Sequence, residues 1–480
     1  MQVSRGLPLV LVAGTVAASC SGCALHKPPS TSAIVGQALP KATPLPPKWS
    51  ATPDSDNVAD GWLASFGDDG LNSVVNESIA NNLDLRQAAQ SVEVARQGTI
   101  VAGAKLKPQI GASFGGAATA ADTKSGENYP SNSELVGASW EVDIWGRLRA
   151  QHAATQANYE AVATDYAFAR QSLAATTAKA WYQAIETHQL LVLTEESVRI
   201  YAKLLELVKI RRDAGRVADL DVAEASYQLN EARNQLLIMQ GMYSESRRTL
   251  ELLIGRYPAA ELQVAEAFVP LPRPVPPGLP SSLLERRPDI VSAQHQVEAA
   301  FYTNQAAKLA LLPSFTLSLQ AGRLSDILLS VLSLNPWLAH GAVGMSVPIY
   351  QGGALRAQIK IATAQQAQSV AHYGAVALRS FAEVEIALTN EQLMAQRLVQ
   401  VENGVGNHRE AVGVANLKYS GGSIDMLSLL QLQEGLIQSE AELIKLRNAQ
   451  LANRINLHLA LGGSFDNLPA ATFPPVVAAK

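Results

Sequence analysis

The same sequence pattern occurs twice in this chain, and the two copies keep a constant spacing. The tetrapeptide LRAQ stands at Leu148–Gln151 and again at Leu355–Gln358, so that its arginines lie 356 − 149 = 207 positions apart. The same spacing returns far downstream, where Gly215 matches Gly422. A spacing that persists over distant segments indicates a tandem duplication of a unit of roughly 200 residues. The fold must therefore consist of two similar halves.

Long stretches of the chain carry no helix-breaking residue. Residues 131–257 and 349–468 contain no proline, and Arg147–Ala214 contains neither proline nor glycine. Apolar residues recur in that last range at helical spacing between many alanines, which is typical of a coiled coil or a packed array of helices roughly 100 Å long. The turn sequences Asp213-Ala214-Gly215 and Ser420-Gly421-Gly422 predict that each long helix reverses into a second one, which gives two helical hairpins per chain.

Segments that alternate apolar and small polar residues precede each predicted hairpin. They predict four strands, at Ile110–Phe114, Val136–Ile144, Phe315–Ala321 and Val343–Ile349. A soluble sheet over a core gives the same pattern, but lengths of about 9 to 11 residues also suit strands that cross an outer membrane. Four strands cannot close a barrel in lipid, which requires at least about eight strands. A membrane protein of this kind therefore needs several copies of the chain.

The N-terminus predicts export from the cytoplasm. Arg5 precedes a short apolar run, Leu7–Ala18, which is typical of a signal peptide and too short to span a bilayer. The two cysteines of the chain, Cys20 and Cys23, lie where this leader ends. Ser21-Gly22-Cys23-Ala24 resembles a bacterial lipobox, so we expect Cys23 to be the lipidated N-terminus, with Cys20 as the alternative.

Proline-rich segments mark the domain boundaries that we expect. Residues 1–22 are the signal peptide, and residues 23–60 form a lipidated, proline-rich tether. The remaining boundaries are a first repeat at residues 61–257, a proline-rich connector at 258–288, a second repeat at 289–463 and a C-terminal tail at 464–480.

Composition and motifs argue against several classes of function. With a net charge of −4, nothing in the composition argues for nucleic-acid binding, which uses a strongly basic face. No apolar run of the mature chain is long enough for a membrane-spanning helix. The scattered histidines form no metal-binding motif, so we expect no metal and no cofactor. Gly111–Gly115 matches the G-x-S-x-G motif of serine hydrolases. That motif requires a helix directly after the serine, whereas strand residues follow here, so an enzyme is not favoured.

Several motifs taken together resemble TolC-like outer-membrane efflux proteins, specifically the lipoprotein channels of RND-type export systems (NodT-type). The motifs are WLASF at Trp62–Phe66, NLDL at Asn82–Leu85, WEVDIWGRL at Trp140–Leu148, RRPDI at Arg286–Ile290 and PIYQGG at Pro348–Gly353. The resemblance implies a mainly α-helical protein with a transmembrane β part, in which a strand pair and a long helical hairpin form the duplicated unit. Three chains would share a twelve-stranded barrel, continued by a periplasmic tunnel of twelve helices.

The resemblance also implies a function and partners. It predicts a homotrimeric channel in the outer membrane, anchored by lipid, that receives small molecules from an inner-membrane RND-type pump through a periplasmic adaptor. The alternative is a lipid-anchored periplasmic coiled-coil scaffold without a pore, which the strand pattern argues against.

The far ends of the helical hairpins are the expected constriction of such a channel. In the family, the second tip carries a tyrosine and acidic residues that line or lock the entrance, and Tyr419 and Asp425 occupy that neighbourhood here. On the first tip, charged residues are candidates for tip-to-tip ion pairs: Arg211, Arg212, Arg216, Asp219 and Asp221. The alternative is that these charges only solvate a turn.

Aromatic residues near the strands are candidates for a membrane-interface belt. They are Trp140, Trp145, Trp337 and Tyr350. Packing at the junction of strands and helices is the alternative for all four. Arg149 and Arg356, at the start of the long helices, are expected either to reach toward the interface or to be ordinary solvated residues.

Overall fold

The computed structural model describes residues 25–39, 46–50, 58–119, 129–325 and 338–466. The described helices are α1 (Thr31–Ala38), α2 (Asp69–Asn81), α3 (Leu83–Ala104), α4 (Arg147–Asp213), α5 (Asp219–Leu253), α6 (Pro280–Arg286), α7 (Pro288–Leu309), α8 (Ala354–Ser420) and α9 (Met426–Ala460), with a short 3-10 helix at Trp62–Phe66. The described strands are β1 (Gln109–Thr119), β2 (Tyr129–Val142), β3 (Ser314–Ser325) and β4 (Leu338–Ser346). None of these helices is both long and apolar enough to cross a membrane.

The duplication predicted from the sequence is confirmed by the element order. Each half contains two strands followed by a long helix and a shorter one. The long helices α4 and α8 both have 67 residues, and the returning helices α5 and α9 both have 35. The starts of α4 and α8 lie 354 − 147 = 207 positions apart, as do those of α5 and α9 at 426 − 219 = 207. The predicted unit of a strand pair and a long helical hairpin is therefore present twice.

Both hairpins turn on a glycine in the left-handed region. Gly215 has φ +69° and Gly422 has φ +75°. In each turn the glycine N–H donates to a carbonyl three residues earlier, from Gly215 to Arg212 at 2.9 Å and from Gly422 to Tyr419 at 3.0 Å. These bonds satisfy carbonyls that the helix end leaves without a partner. A residue with a Cβ adopts this conformation only at a cost, which explains the glycine in both copies.

The four strands form one antiparallel sheet in the order β1-β2-β3-β4. Trp140 of β2 lies opposite Leu317 of β3, which lies opposite Val343 of β4. Because side chains alternate along a strand, this register places Ile110, Trp140, Leu317, Val343 and Met345 on one face. Glycines, serines and other small or polar residues collect on the other face. The predicted two-faced sheet is confirmed, and residues 111–115 lie inside β1, with strand residues 116–119 directly after them.

The described residues fall into two compact units. One unit contains the sheet and its adjoining helix segments, within Ser91–Ala163 and Ser292–Ala375, together with α1. The other contains both hairpin tips and the main hydrophobic core. In that core the WLASF segment is buried, and Trp62 stacks on His458 with ring centroids 5.5 Å apart.

Two of the family-like motifs have structural contacts within the second unit. Asn82 caps α3 by accepting a hydrogen bond from the Leu85 N–H at 2.9 Å, and its amide donates to the Leu253 carbonyl at 3.0 Å. In the RRPDI segment, the buried Arg287 guanidinium donates to Asp289 at 2.8 Å and to Glu383 at 2.6 Å. These motifs therefore join segments that are far apart in the sequence.

Candidate functional site: the hairpin tips

The tips of the two hairpins pack against each other within the second unit. A single apolar cluster includes residues of all four helices near the turns: Leu204 and Val208 of α4, Leu229 of α5, Tyr419 of α8, and Met426 and Leu429 of α9. The Tyr419 side chain is only 3% exposed. Burial of this apolar surface holds the two tips together.

Arg211 joins the first tip to the second. Its guanidinium donates a hydrogen bond to the Ser420 carbonyl at 2.9 Å, and its central carbon lies 4.4 Å from the centroid of the Tyr419 ring. A cation over an aromatic face stabilises by about 0.5–1 kcal/mol at an exposed site and more when desolvated. The Tyr419 hydroxyl is buried and has no hydrogen-bond partner among the described residues. Tyr419 therefore contributes its ring to this contact.

Among the other charged candidates of the first tip, Arg212, Asp219 and Asp221 make polar contacts within their own tip. Arg212 pairs with Asp213 at 2.8 Å and with Asp219 at 3.5 Å. The Asp221 carboxylate accepts from the Ala218 N–H at 2.8 Å and so caps α5. Arg216 is exposed and makes no ion pair with the described residues. The tip-to-tip ion pairs expected from the sequence are absent within the described part of one chain, where Arg211 makes the connection through a carbonyl and a ring.

Asp425 stands at the start of α9. Its carboxylate accepts from the Ser428 N–H at 2.7 Å, which caps the helix. Hydrogen bonds from the Ser428 side chain and backbone lower the pKa of Asp425. The second tip therefore carries a negative charge on Asp425 at neutral pH.

The predicted interface residues near the sheet have different surroundings. The Trp140 indole donates to the Leu106 carbonyl at 3.0 Å, and the Trp145 indole donates to the Pro313 carbonyl at 2.8 Å. Both side chains thus tie strand ends to neighbouring segments, as the packing alternative expects. Tyr350 is 87% exposed. Trp337 lies outside the described residues, as do Cys20 and Cys23.

The role of Asp143 at the start of α4 was not predicted from the sequence. Its carboxylate accepts from the backbone N–H groups of Leu148 and Arg149 at 3.0 and 2.9 Å, and it pairs with the Arg149 side chain at 3.2 Å. Arg149 is therefore part of a capped helix start, whereas the exposed Arg356 of the second copy has no such partner among the described residues. The second copy has Tyr350 where the first has Asp143. This difference between the two copies could have indicated the role of Asp143 from the sequence.

Comparison with known families decides the identity of the chain. The model of the outer membrane efflux protein family matches residues 74–256 and 279–463, which include both helical hairpins. The chain belongs to the outer membrane efflux protein family. The resemblance stated from the motifs is thereby confirmed.

Similar proteins cover nearly the whole of this efflux protein. The pyoverdine export outer membrane protein OpmQ of Pseudomonas aeruginosa is 30% identical over 430 residues, which are 86% of this chain and 89% of that protein. The probable outer membrane lipoprotein SilC of Salmonella typhimurium is 26% identical over 87% of this chain and 91% of its own length. The crystal structure of the Campylobacter jejuni CmeC outer membrane channel matches with a TM-score of 0.83 at 18% identity, over 93% of this chain and 96% of that chain. This last likeness shows that the efflux protein has the fold of a solved outer-membrane channel.

Proposed function

We propose that this efflux protein is the outer-membrane exit duct of a tripartite pump. Small molecules delivered by an inner-membrane RND-type pump and a periplasmic adaptor pass through it passively to the exterior. The observation that carries the proposal is the family match over both repeats, since the similar proteins are named as export and efflux components.

The sheet supports assembly into a trimer. Within the described chain, β1 and β4 each pair on one side only, so each has an open edge. Open edges in lipid leave backbone N–H and carbonyl groups without partners, at several kcal/mol each. In the proposed trimer, β1 of one copy pairs with β4 of the next, and the apolar face of the combined sheet contacts lipid. The small polar face then lines the water-filled passage.

The hairpin tips support a gate at the periplasmic end. In this proposal the closed gate comprises Tyr419, Asp425, Arg212, Arg216, Asp219 and Asp221, with Arg211 as the link between the tips. The link consists of one hydrogen bond and one cation–π contact, so it stabilises the closed state by only a few kcal/mol at most. A gate of that strength suits opening by a bound adaptor.

The N-terminus supports attachment to the outer membrane by lipid. A lipidated Cys23 would begin the mature chain, and residues 23–60 would connect the anchor to the first repeat. Mass spectrometry of the purified N-terminal peptide tests this proposal. A diacylglycerol adduct on Cys23 is expected, whereas an adduct on Cys20 or an unmodified peptide would contradict it.

The channel itself is tested by single-channel conductance in planar bilayers, with the oligomeric mass measured in the same detergent. We expect trimers with a small, intermittently closed conductance. A monomer that never conducts, even with both tips mutated, would contradict the proposal and favour the pore-free periplasmic scaffold.

The gate is tested by variants at its link. Arg211→Ala should increase the open fraction, because it removes both the hydrogen bond to Ser420 and the cation–π contact between the tips. Tyr419→Ala should also increase it, because it removes the ring that Arg211 contacts. Tyr419→Phe keeps the ring and removes a hydroxyl that has no partner, so it should conduct like the parent protein. Lys209→Ala, an exposed change on the same helix, is the matched control. Equal open fractions for Arg211→Ala and Lys209→Ala would show that Arg211 does not hold the gate.

A further inference from the structure

Three metal-ligating side chains from two helices meet in the unit that contains the sheet. His295 and Glu298 lie one turn apart on α7, and Glu160 lies on α4. One ligand atom from each side chain lies within 4.8 Å of the other two. All three residues are half-buried. The cluster lies outside the hairpin tips and takes no part in the proposed gate.

The spacing of the atoms suits one small cation. His295 Nδ1 lies 3.2 Å from Glu298 Oε2 and 3.5 Å from Glu160 Oε2. Zinc binds imidazole nitrogen and carboxylate oxygen at about 2.0–2.2 Å in tetrahedral geometry, which places neighbouring ligand atoms about 3.4 Å apart. The two distances from His295 therefore need little adjustment to become two edges of a zinc tetrahedron.

Amide side chains hold the remaining carboxylate oxygens. The Gln156 amide donates to Glu160 Oε1 at 2.9 Å, and the Gln294 amide donates to Glu298 Oε1 at 3.2 Å. The other oxygen of each carboxylate faces His295, and these two oxygens are the ones that would bind a cation. Ligands oriented in this way by outer hydrogen bonds are typical of metal sites.

We propose that Glu160, His295 and Glu298 bind a divalent transition-metal cation of the Zn²⁺ class, which joins α7 to α4. Imidazole favours such cations over Mg²⁺ and Ca²⁺, which prefer oxygen ligands alone. Two carboxylates neutralise the charge of the cation, and water completes the fourth position. A cation bound there would join a helix of the second repeat to the long helix of the first.

A proton competes with the cation for this position. In the metal-free protein, the hydrogen bond between His295 and Glu298 raises the pKa of His295 against the opposing effect of burial. A protonated His295 between two carboxylates is the alternative to a metal site. Metal binding itself must therefore be measured.

The test uses the full-length trimer in detergent, without a polyhistidine tag and after removal of metals by a chelator. Calorimetric titration with Zn²⁺ should show one site per chain. His295→Gln should weaken that site by at least about tenfold, since even outer-sphere changes cost 10–100-fold. His408→Gln is the matched control, because His408 is also a half-buried helical histidine, and its Nδ1 lies 3.1 Å from the Ser439 hydroxyl, away from the cluster. Its Zn²⁺ affinity should equal that of the parent protein.

The visible absorption of bound Co²⁺ is a second test of metal binding, which applies if His295→Gln does not assemble. Co²⁺ in a tetrahedral site of nitrogen and oxygen ligands absorbs visible light far more strongly than the hydrated ion. The parent protein should show this intense band, and Glu298→Gln should lose it. No Zn²⁺ uptake, equal uptake by His295→Gln, or a Co²⁺ spectrum like that of the hydrated ion would each overturn the proposal.

Discussion

Arg287 is a buried charged residue whose two carboxylate partners are more exposed than it is. Its side chain is 4% exposed and pairs with Asp289 and Glu383. Removing one partner from a buried ionic group leaves the others uncompensated, which costs about 3–5 kcal/mol. Glu383 is 43% exposed, so solvent screens part of this cost.

We therefore expect Arg287→Ala to lower the free energy of unfolding by about 3 kcal/mol. Denaturant unfolding followed by the helical circular dichroism signal measures this change. The control is Arg233→Ala on the exposed side of α5, for which a change within about 0.5 kcal/mol is expected. Similar losses of unfolding free energy in the two variants would mean that the ion pairs of Arg287 stabilise the protein no more than an exposed arginine does.

His458 makes stability depend on pH. Burial, and then the nearby charge of Arg454, lower the pKa of His458 from 6.5 to about 3. The unfolded chain therefore binds this proton more tightly than the folded protein does. The stabilisation is complete above about pH 6.5 and is lost as the pH falls toward 3, by up to about 1.4 kcal/mol per pH unit.

The prediction is tested by the slope of the melting temperature between pH 8 and pH 4. His458→Gln should have a shallower slope than the parent protein, whatever its absolute stability. His372→Gln, which changes an exposed histidine, should keep the parent slope. Parallel curves for the parent and His458→Gln would contradict the assignment.

Among the elements, the turn at the second hairpin tip offers a matched pair of adjacent glycines. Gly422 has φ +75°, whereas Gly421 does not lie in the positive-φ region. A residue with a Cβ in the left-handed region costs about 1–2 kcal/mol. Gly422→Ala should therefore loosen the tip, and Gly421→Ala should not, since its new Cβ meets atoms no closer than 3.6 Å.

Hydrogen exchange of the backbone amides of residues 415–430 measures this loosening. Faster exchange is expected for Gly422→Ala than for Gly421→Ala, with the sheet unaffected in both variants. The same rate in both would indicate that the turn readily adopts another conformation.

The sequence predicted elements better than the contacts between them. The hairpins follow from local patterns, because the absence of glycine and proline over Arg147–Ala214 and a glycine at each turn specify where a helix runs and reverses. Arg211 and Tyr419 are 419 − 211 = 208 residues apart, and no local pattern indicates that one lies over the ring of the other. For the same reason, no local pattern predicts the cluster of Glu160, His295 and Glu298, whose members come from different repeats.

At the scale of the whole molecule, the apolar face of the sheet is the surface that indicates what the protein contacts. Its apolar face is exposed within one chain, as for Val343 at 77% and Met345 at 65%. A large exposed apolar surface indicates contact with lipid or with another protein. The proposed trimer places this face against lipid, and the opposite face against water.

The two faces are distinguished by neighbouring residues of β4. Val343 lies opposite Leu317 on the apolar face, whereas Ala342 lies opposite Ser318 on the polar face. A lysine facing lipid near the bilayer midplane costs about 2–4 kcal/mol, but a lysine facing the aqueous interior costs little. Val343→Lys should therefore reduce the yield of heat-sensitive trimers in the outer-membrane fraction, and Ala342→Lys should assemble like the parent protein. Equal assembly of the two variants would mean that the apolar face contacts something other than lipid, and a loss confined to Ala342→Lys would mean that the polar face is the packed one.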